Sequence, residues 1–300
     1  MKDTRALDLR RDDSAVWRTF ADYLALAKPR LNLLVVATSA AGYYLGATGP
    51  LNLSVMAAAV AGTAFVAGGA AALNQLYERE TDALMRRTRM RPLPDGRITP
   101  AEARIFGVAL SAAGLVLLAA LAGWLAATLA LGTLTIYVGV YTPLKRRSPI
   151  ATLVGAVPGA LPPLIGWTAS RGEISIGGLA LFLIVFLWQI PHFMAIAWMY
   201  RDDYRLAGFP MLPVIDSDGR RTGREAVVYA AALLPASLVP TLAGVSGNVY
   251  AAIAAVLGAG LLAAAVGFAS SRSDIAARRL FFGSLIYLPL IWIAMIADKL

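Results

Sequence analysis

Apolar and polar residues alternate along this chain in long blocks rather than at single positions. Nine apolar blocks of roughly 20 residues are separated by short polar segments. A block of this length is what an α-helix needs to cross the hydrocarbon core of a bilayer. The pattern therefore predicts an all-α, polytopic membrane protein. The predicted spans cover residues 31–48, 52–77, 105–122, 125–142, 150–169, 177–200, 226–244, 248–269 and 280–297.

The basic residues of the polar segments fall almost entirely on one side of these spans. If the N-terminus is cytoplasmic, 25 of the 27 Lys and Arg residues lie on that side, and Arg171 and Lys299 lie on the other. This asymmetry follows the positive-inside rule and supports the count of nine spans. We therefore predict a cytoplasmic N-terminal tail over 1–22 and a single nine-helix domain over 23–300, located in the inner (plasma) membrane.

Composition narrows the chemistry that such a domain can carry. The chain is 58% hydrophobic and 15% charged, which is not the balance of a soluble domain. It has no cysteine and one histidine, so disulfides, thiolate catalysis and multi-histidine metal cages within the chain are excluded. The net charge of +9 does not indicate a nucleic-acid partner, because the basic residues alternate with spans. Prolines inside spans, such as Pro158 and Pro191, predict bent helices around a cavity.

The polar end of the second predicted span carries the densest set of candidate residues. Asn74, Glu78 and Asp82 recur every fourth residue, so they share one face if the helix continues. Arg87 and Arg91 follow. Mg²⁺ is typically held by one or two carboxylates plus substrate phosphates, and arginine is suited to phosphate oxygens. The stretch predicts a site for metal and phosphate, and the alternative is a solvated helix end with i,i+4 ion pairs.

A second acidic segment follows the sixth predicted span. Asp202 and Asp203 lie there, before Arg205, on the same side of the spans as the first acidic segment. Two acidic helix ends on one side of a bundle could face each other across a shared mouth. Lys145 and Arg146, after the fourth span, are either positive-inside charges or diphosphate ligands, and the sequence leaves both interpretations open.

His192 lies deeper in the sixth predicted span. It precedes Asp202 by ten residues, or about 15 Å along a straight helix. An ionisable residue at that depth is a functional candidate. The alternative is a neutral imidazole bonded to a backbone carbonyl that Pro191 leaves free. Trp188 similarly fits either helix packing or the flank of a flat apolar ligand.

Together these segments resemble the UbiA superfamily of intramembrane aromatic prenyltransferases. The superfamily pattern is Asn-x3-Asp-x3-Asp followed by Arg-Thr-x-x-Arg-Pro, and Glu78 replaces the more usual Asp here. The matching residues are Asn74, Glu78, Asp82, Arg87, Thr88, Arg91 and Pro92. Other segments are similar to the branch of the superfamily that farnesylates haem. These segments are 28–30, 141–146, 162–167, 188–193 and 203–213.

The resemblance implies nine transmembrane helices around a central cavity, with the acidic motifs over its cytoplasmic mouth. It implies transfer of farnesyl from farnesyl diphosphate to a vinyl group of haem B, with addition of water and with Mg²⁺ as cofactor. The expected catalytic residues are Asn74, Glu78, Asp82 and Asp203, with Asp202 joining them as a metal ligand. The expected diphosphate ligands are Arg87, Arg91, Lys145 and Arg146. The expected haem-binding residues are His192, Trp188 and Gln189.

The resemblance also implies partners for the protein, and two competing functions stay open. The partners are the two substrates, the lipid bilayer and a haem A synthase or terminal-oxidase assembly that receives the product. One alternative is a prenyltransferase of the same superfamily that acts on a quinone precursor or a chlorophyll-like ring. A secondary transporter is the other, although transporter sites usually lie near the bilayer midplane at discontinuous helices.

Overall fold

The structure is a computed structural model that describes residues 19–300, and most of the predicted tail lies outside the described residues. The described part contains helices and connecting turns, and no β-strand. Its long helices are α1 (Pro29–Gly46), α2 (Leu53–Leu84), α3 (Pro100–Leu117), α4 (Trp124–Leu134), α5 (Ala151–Arg171), α6 (Ile176–Met199), α7 (Arg220–Ala236), α8 (Asn248–Ser271) and α9 (Asp274–Ala297). π-Helical turns prolong α3 over Leu118–Ala122 and α4 over Thr135–Tyr141.

A helix occupies the place of every predicted span. Seven of the helices, counting their short continuations, are long and apolar enough to cross a membrane. These seven are α2, α3, α4, α6, α7, α8 and α9. The prediction of an all-α, polytopic membrane protein is confirmed. The count of nine crossings and the cytoplasmic N-terminus stay predictions.

Helix α2 is longer than the second predicted span and includes the polar stripe. It begins at a cap in which the Asn52 side chain accepts a hydrogen bond from the backbone N–H of Val55 (3.2 Å). No proline interrupts it, and its 32 residues measure about 48 Å. The helix ends only at Met85, whose backbone is extended. Because the hydrocarbon core is about 30 Å thick, its last turns reach the polar region while keeping one helical face.

Small residues allow the helices around the central cavity to pack at close backbone distance. A Cβ atom added to Gly69 of α2 would lie 2.6 Å from the carbonyl oxygen of Gly107 on α3. A Cβ atom added to Gly42 of α1 would lie 2.0 Å from the carbonyl oxygen of Pro163 on α5. Glycine is required at both contacts because the opposing atom is backbone and cannot move aside. Close backbone contact thus fixes α2 against α3 and α1 against α5.

Five of the helices surround a central cavity of about 470 Å³. Its lining residues come from α1, α2, α4, α5 and α6, and from the segments that follow α2, α4 and α6. Within residues 19–300, α3 and α7–α9 contribute no lining residue. Helices α7 and α9 pack instead against the far side of α6, and α8 packs outside them against α7 and α9, in the largest hydrophobic core of the described residues. They hold α6 in place against the cavity.

Candidate active site

The polar stripe of α2 faces the central cavity. Asn74, Glu78 and Asp82 are each at most 4% exposed, and all three line the cavity. Asn74 uses both ends of its amide, because its Nδ2 donates to Thr142 Oγ1 (3.1 Å) and its Oδ1 accepts from Lys28 Nζ (3.5 Å). The stripe therefore joins the start of α1 to the end of α4 at the cavity mouth.

Glu78 forms a buried ion pair with Lys145. The Lys145 Nζ atom lies 3.1 Å from both carboxylate oxygens of Glu78 and 4.7 Å from the centre of the Phe209 ring. Burial alone would lower the pKa of Lys145, but the neighbouring Tyr141 and Glu78 raise it above its ordinary value. Lys145 is therefore a permanent cation at neutral pH, and it can be shared between Glu78 and an anionic ligand.

Asp82 has one carboxylate oxygen paired and one free. Its Oδ2 accepts a hydrogen bond from Arg91 Nη1 at 2.7 Å, whereas its Oδ1 is buried without a partner. The Thr88 hydroxyl donates to the Asp82 backbone carbonyl (2.8 Å) and fixes the turn that brings Arg91 back to α2. A buried carboxylate oxygen without a donor is costly, so this atom is well placed to ligate a cation.

Cations outnumber carboxylates at the cavity mouth. Lys28, Arg87, Arg91 and Lys145 line the cavity together with the two carboxylates of the stripe. Burial lowers the pKa of Lys28 to about 8, and the positive charge of Arg91 adds to this effect. The guanidinium of Arg87 donates to the Tyr204 hydroxyl (2.9 Å). The excess positive charge suits an anion such as a diphosphate.

The second acidic segment reaches the mouth of the cavity, but its carboxylates do not line it. Asp202 is exposed and pairs with Arg205, with Oδ1 and Nη1 2.6 Å apart. Asp203 is half-buried, and it is the next residue, Tyr204, that lines the cavity. The reason is that α6 ends at Met199 and a separate helix, Arg201–Leu206, carries both aspartates.

Arg146 is likewise exposed and away from the cavity. In residues 19–300, no three Asp, Glu or His side chains lie close enough together to hold a metal ion by themselves. The metal-binding roles of Asp202 and Asp203 and the diphosphate-binding role of Arg146 stay predictions that rest on the sequence alone.

The inner wall of the cavity is neutral, and it includes the imidazole of His192. The imidazole is stacked between the rings of Trp188 (4.8 Å between centroids) and Phe281 (5.1 Å). Its Nδ1 lies 2.8 Å from Ser284 Oγ, and the Trp188 indole N–H donates to the Ser284 backbone carbonyl, also at 2.8 Å. Ser284, a residue of α9, thus positions the rings of both His192 and Trp188. Trp188 supports His192 from behind and does not line the cavity itself.

The hydrogen bonds of Ser284 determine which imidazole nitrogen carries the proton. Its Oγ lies 2.6 Å from the backbone carbonyl oxygen of Phe281, which can only accept, so the serine donates its hydrogen there. The serine oxygen then accepts from His192 Nδ1–H, and Nε2 keeps a free lone pair. No hydrogen-bond partner of Nε2 occurs in the described residues. The hydrogen bond observed is thus to Ser284, and not the one to a carbonyl freed by Pro191 that the alternative interpretation required.

Gln189 lines the cavity one turn before the histidine. Its Nε2 donates to the backbone carbonyls of Ala156 (3.1 Å) and Val185 (3.0 Å), which fixes the orientation of the amide. A Cβ atom added to Gly159 would lie 2.1 Å from Gln189 Oε1, so the glycine makes room for this side chain. Gln189 is thereby held between α5 and α6.

The family of the chain follows from comparison with known proteins. The profile of the UbiA prenyltransferase family matches residues 35–286. The chain belongs to this family. A protoheme IX farnesyltransferase from Solibacter usitatus is 45% identical over 287 residues, covering 93% of this chain and 98% of the relative. Proteins of the same name from Opitutus terrae (47% over 282 residues, 94% and 95% covered) and Aquifex aeolicus (40% over 278 residues, 92% and 94% covered) are similar too.

Solved structures of UbiA proteins share the fold. A digeranylgeranylglyceryl phosphate synthase superimposes with a TM-score of 0.80 at 18% identity, covering 94% of this chain and 98% of the synthase. A UbiA homologue from Archaeoglobus fulgidus bound to GPP and Mg²⁺ has a TM-score of 0.66 at 21% identity, covering 92% and 99%. At these identities the likeness shows the fold alone. The resemblance to the UbiA superfamily inferred from sequence is confirmed.

The residues of this UbiA protein that fit a Mg²⁺ ion are those of the α2 stripe. The free Oδ1 of Asp82, the carboxylate of Glu78 and the amide oxygen of Asn74 are hard oxygen donors one helical turn apart. Mg²⁺ is usually held by one or two carboxylates and completed by water and substrate phosphates. The donor set is of that kind, so it fits an ion that arrives with a diphosphate.

Several residues of the UbiA site could not be given a role from the sequence. Lys28 belongs to the segment 28–30, whose similarity to the family indicates no chemical role for it. Thr142 and Tyr204 belong to similar segments. Ser284 carries no sequence signal, because it lies 92 residues after His192 and in a different helix. Its contribution is visible only in the folded chain.

Proposed function

We propose that this chain transfers the farnesyl group of farnesyl diphosphate to a vinyl group of haem B, with addition of water, to form haem O. The support comes from relatives named protoheme IX farnesyltransferase that match nearly the whole chain. The observation that carries the proposal is the division of one cavity into two parts. Its mouth is charged for a diphosphate, and its inner wall presents an unprotonated imidazole nitrogen between aromatic rings.

The mouth holds and activates the diphosphate. Asn74, Glu78 and Asp82 would hold Mg²⁺, which when bound would supply positive charge to the diphosphate and so stabilise it as a leaving group. Arg87 and Arg91 bind the remaining oxygens. Lys145 lies within reach of Glu78 and keeps its charge, so it neutralises negative charge that develops as the carbon–oxygen bond breaks.

The apolar middle of the cavity protects the allylic cation that ionisation leaves. Val66, Ala70, Ile165 and Phe193 line this part, and none of them offers a nucleophile. Ionisation breaks the bond between the farnesyl carbon and the diphosphate oxygen, and the vinyl group of haem then attacks the allylic cation, which forms one carbon–carbon bond. Water then adds to the resulting cation and releases a proton, which leaves a hydroxyl group.

The inner wall positions haem. The free lone pair of His192 Nε2 is a ligand for haem iron, which favours neutral imidazole nitrogen. The hydrogen bond from Nδ1–H to Ser284 fixes the orientation and the tautomer of the ring. Gln189 borders the same part of the cavity and is held in one orientation. Trp188 acts through His192, on which it is stacked.

The location that we propose follows from the distribution of basic residues. The cavity mouth lies on the side of the spans that holds most of the basic residues, so it faces the cytoplasm if the positive-inside rule applies. The protein would then be a multi-pass protein of the plasma membrane, with residues 23–300 as one domain. We further propose that a haem A synthase or a terminal oxidase under assembly receives its product.

Product analysis with a single carboxylate variant tests this function. Purified protein supplied with haem B, farnesyl diphosphate and Mg²⁺ should form haem O, detected by mass spectrometry. Asp82→Asn should lower the rate by about 100-fold or more, because charge stabilisation in the transition state is lost, while haem binding is unchanged. Glu80→Gln is the matched control, since Glu80 lies on the same helix and is exposed in an ion pair with Arg79.

Two outcomes would contradict the proposal. Full turnover by the Asp82→Asn variant would remove the α2 stripe from the metal site. Prenylation of 4-hydroxybenzoate or of a chlorophyll-like ring, without haem binding, would assign the chain to another branch of the family.

A further inference from the structure

A second cavity lies at the opposite end of α1 from the candidate active site. Lys28, just before α1, lines the central cavity, and the 18 residues of α1 then cover about 27 Å. At the far end of the helix, a cavity of about 580 Å³ lies between the end of α5, the start of α6 and the segment after α9. The two cavities have no lining residue in common.

Arg171 and Lys299 both line this second cavity. They are the two basic residues that the sequence places on this side of the spans. Arg171 Nε donates to the backbone carbonyl of Gly46 (2.8 Å), and Lys299 Nζ donates to those of Tyr44 (2.6 Å) and Ala47 (2.7 Å). Both cations therefore cap the last carbonyls of α1.

Helix capping alone does not balance the positive charge in this cavity. Neither cation forms an ion pair with a carboxylate of residues 19–300. The ends of α1 and α5 each supply about half a negative charge, against two full positive charges. Of the nearby acids, Asp298 accepts a hydrogen bond from the Tyr250 backbone N–H (2.7 Å), and Glu173 is exposed. Burial lowers the pKa of Lys299, and Arg171 lowers it further.

Unpaired donors lie in the same wall. The first turn of α6 borders the cavity through Ser175, Ile176 and Gly177, and no side chain caps its backbone N–H groups. The positive end of a 24-residue helix therefore faces the same cavity as the two cations. The indole of Trp167 packs against Gly177, and its N–H is buried without an acceptor. Each of these features disfavours an empty cavity and favours an anion.

We propose that this second cavity binds a phosphate group carried by a membrane lipid. Arg171 supplies a planar guanidinium with free N–H groups, Lys299 supplies a point charge, and the α6 terminus supplies backbone donors. Leu45 and Val245 line the cavity beside these polar groups, which suits the glycerol and upper acyl carbons of a lipid. A phosphate ester with one negative charge would give both cations an ion-pair partner, which neither has among the carboxylates of residues 19–300.

Lipid titration of the delipidated, full-length protein in non-ionic detergent tests the site. Phosphatidylglycerol should bind saturably by native mass spectrometry and raise the midpoint of thermal unfolding, whereas diacylglycerol, which lacks the phosphate, should do neither. The double variant Arg171→Gln/Lys299→Gln should lose affinity for phosphatidylglycerol by about tenfold or more. Lys299→Gln alone leaves the Arg171 cap of α1 in place, and should weaken binding by about threefold to tenfold.

A matched control separates this site from general attraction between lipid and basic residues. Arg278 and Arg279 are exposed on α9, so Arg278→Gln/Arg279→Gln removes the same charge elsewhere and should leave the affinity unchanged. An equal shift with inorganic phosphate alone would support the anion site and assign it to a soluble phosphate. Unchanged lipid affinity in both site variants, or an equal loss in the control, would overturn the proposal.

Discussion

The mouth and the inner wall of the central cavity are built on different physical principles. At the mouth, buried charges compensate one another, as Glu78 does with Lys145 and Asp82 does with Arg91. On the inner wall, Ser284 holds Trp188 and the neutral ring of His192 by short hydrogen bonds.

Because of this difference, the two parts of the cavity differ in which of their interactions a ligand can replace. Charges at the mouth can change partners when a metal diphosphate enters, because Lys145 and Arg91 serve carboxylate and phosphate equally well. The inner wall keeps its hydrogen bonds and offers one free position, the Nε2 atom of His192. Removing a charge at the mouth should therefore affect folding most, and removing a group at the inner wall should affect ligand binding most.

Breaking the ion pair at the mouth should have the largest effect. Lys145→Met strands the buried carboxylate of Glu78, so we expect the free energy of unfolding to fall by about 3–5 kcal/mol. Denaturant unfolding in detergent measures it. Arg205→Met breaks the exposed pair with Asp202 and should cost about 1 kcal/mol or less. Similar losses in the two variants would show that the buried pair of Glu78 and Lys145 contributes no more to stability than an exposed pair.

Removing the imidazole should weaken haem binding by about 100-fold or more, because it deletes the proposed iron ligand itself. His192→Ala is titrated with haem and, separately, with farnesyl diphosphate. The affinity for farnesyl diphosphate should be unchanged, since the ring contributes no charge to the mouth. Equal haem affinity in variant and parent protein would exclude His192 from the haem site.

Filling the space beside Gln189 should have an intermediate effect on stability. Gly159→Ala places a Cβ atom against the Gln189 amide, and we expect a loss of about 1–3 kcal/mol from overpacking. Gly132→Ala on α4 is the control, because nothing lies within 4 Å of the added atom. There the substitution should stabilise the helix by about 1 kcal/mol. Thermal unfolding of both variants distinguishes the two signs, and stabilisation at both positions would contradict the packing described for α5 and α6.

Deleting the Ser284 hydroxyl should have the smallest effect, on haem affinity rather than on fold. Ser284→Ala leaves His192 Nδ1–H without an acceptor, and haem affinity should fall by about tenfold with a shifted haem absorption spectrum. Ser284→Thr should restore both. Ser111→Ala removes a buried hydroxyl that bonds to Gly107 of its own helix, and should change neither. An unaltered spectrum in Ser284→Ala would show that the serine does not set the tautomer.

The sequence predicted those parts of the fold and of the site that depend on local geometry. The shared face of Asn74, Glu78 and Asp82 follows from helical spacing, and α2 continues far enough to realise it. The place of each helix follows from the apolar blocks. Both depend on residues that are close along the chain.

Contacts between distant segments could not be predicted in the same way. Glu78 and Lys145 are 67 residues apart, and the partner of His192 is 92 residues away. The second acidic segment shows the limit most clearly. Asp202 and Asp203 follow α6 in sequence, but the break after Met199 turns them off the helix face that meets the cavity. Because the helix is interrupted at a single residue, Tyr200, the side chain of this segment that reaches the cavity is that of Tyr204.

The length of α2 has a consequence for how reactants and products move. The oxygen-bearing side chains of its polar stripe extend over about 12 Å between Asn74 and Asp82, toward the end of the helix that reaches the polar region. Pyrophosphate released in the proposed reaction could leave along this row of side chains into water without entering the apolar part of the cavity. The proposed farnesyl and haem groups are apolar and would stay in the apolar part of the cavity, which Val66 and Ala70 line. The pyrophosphate and the apolar groups would then be separated along the length of a single helix.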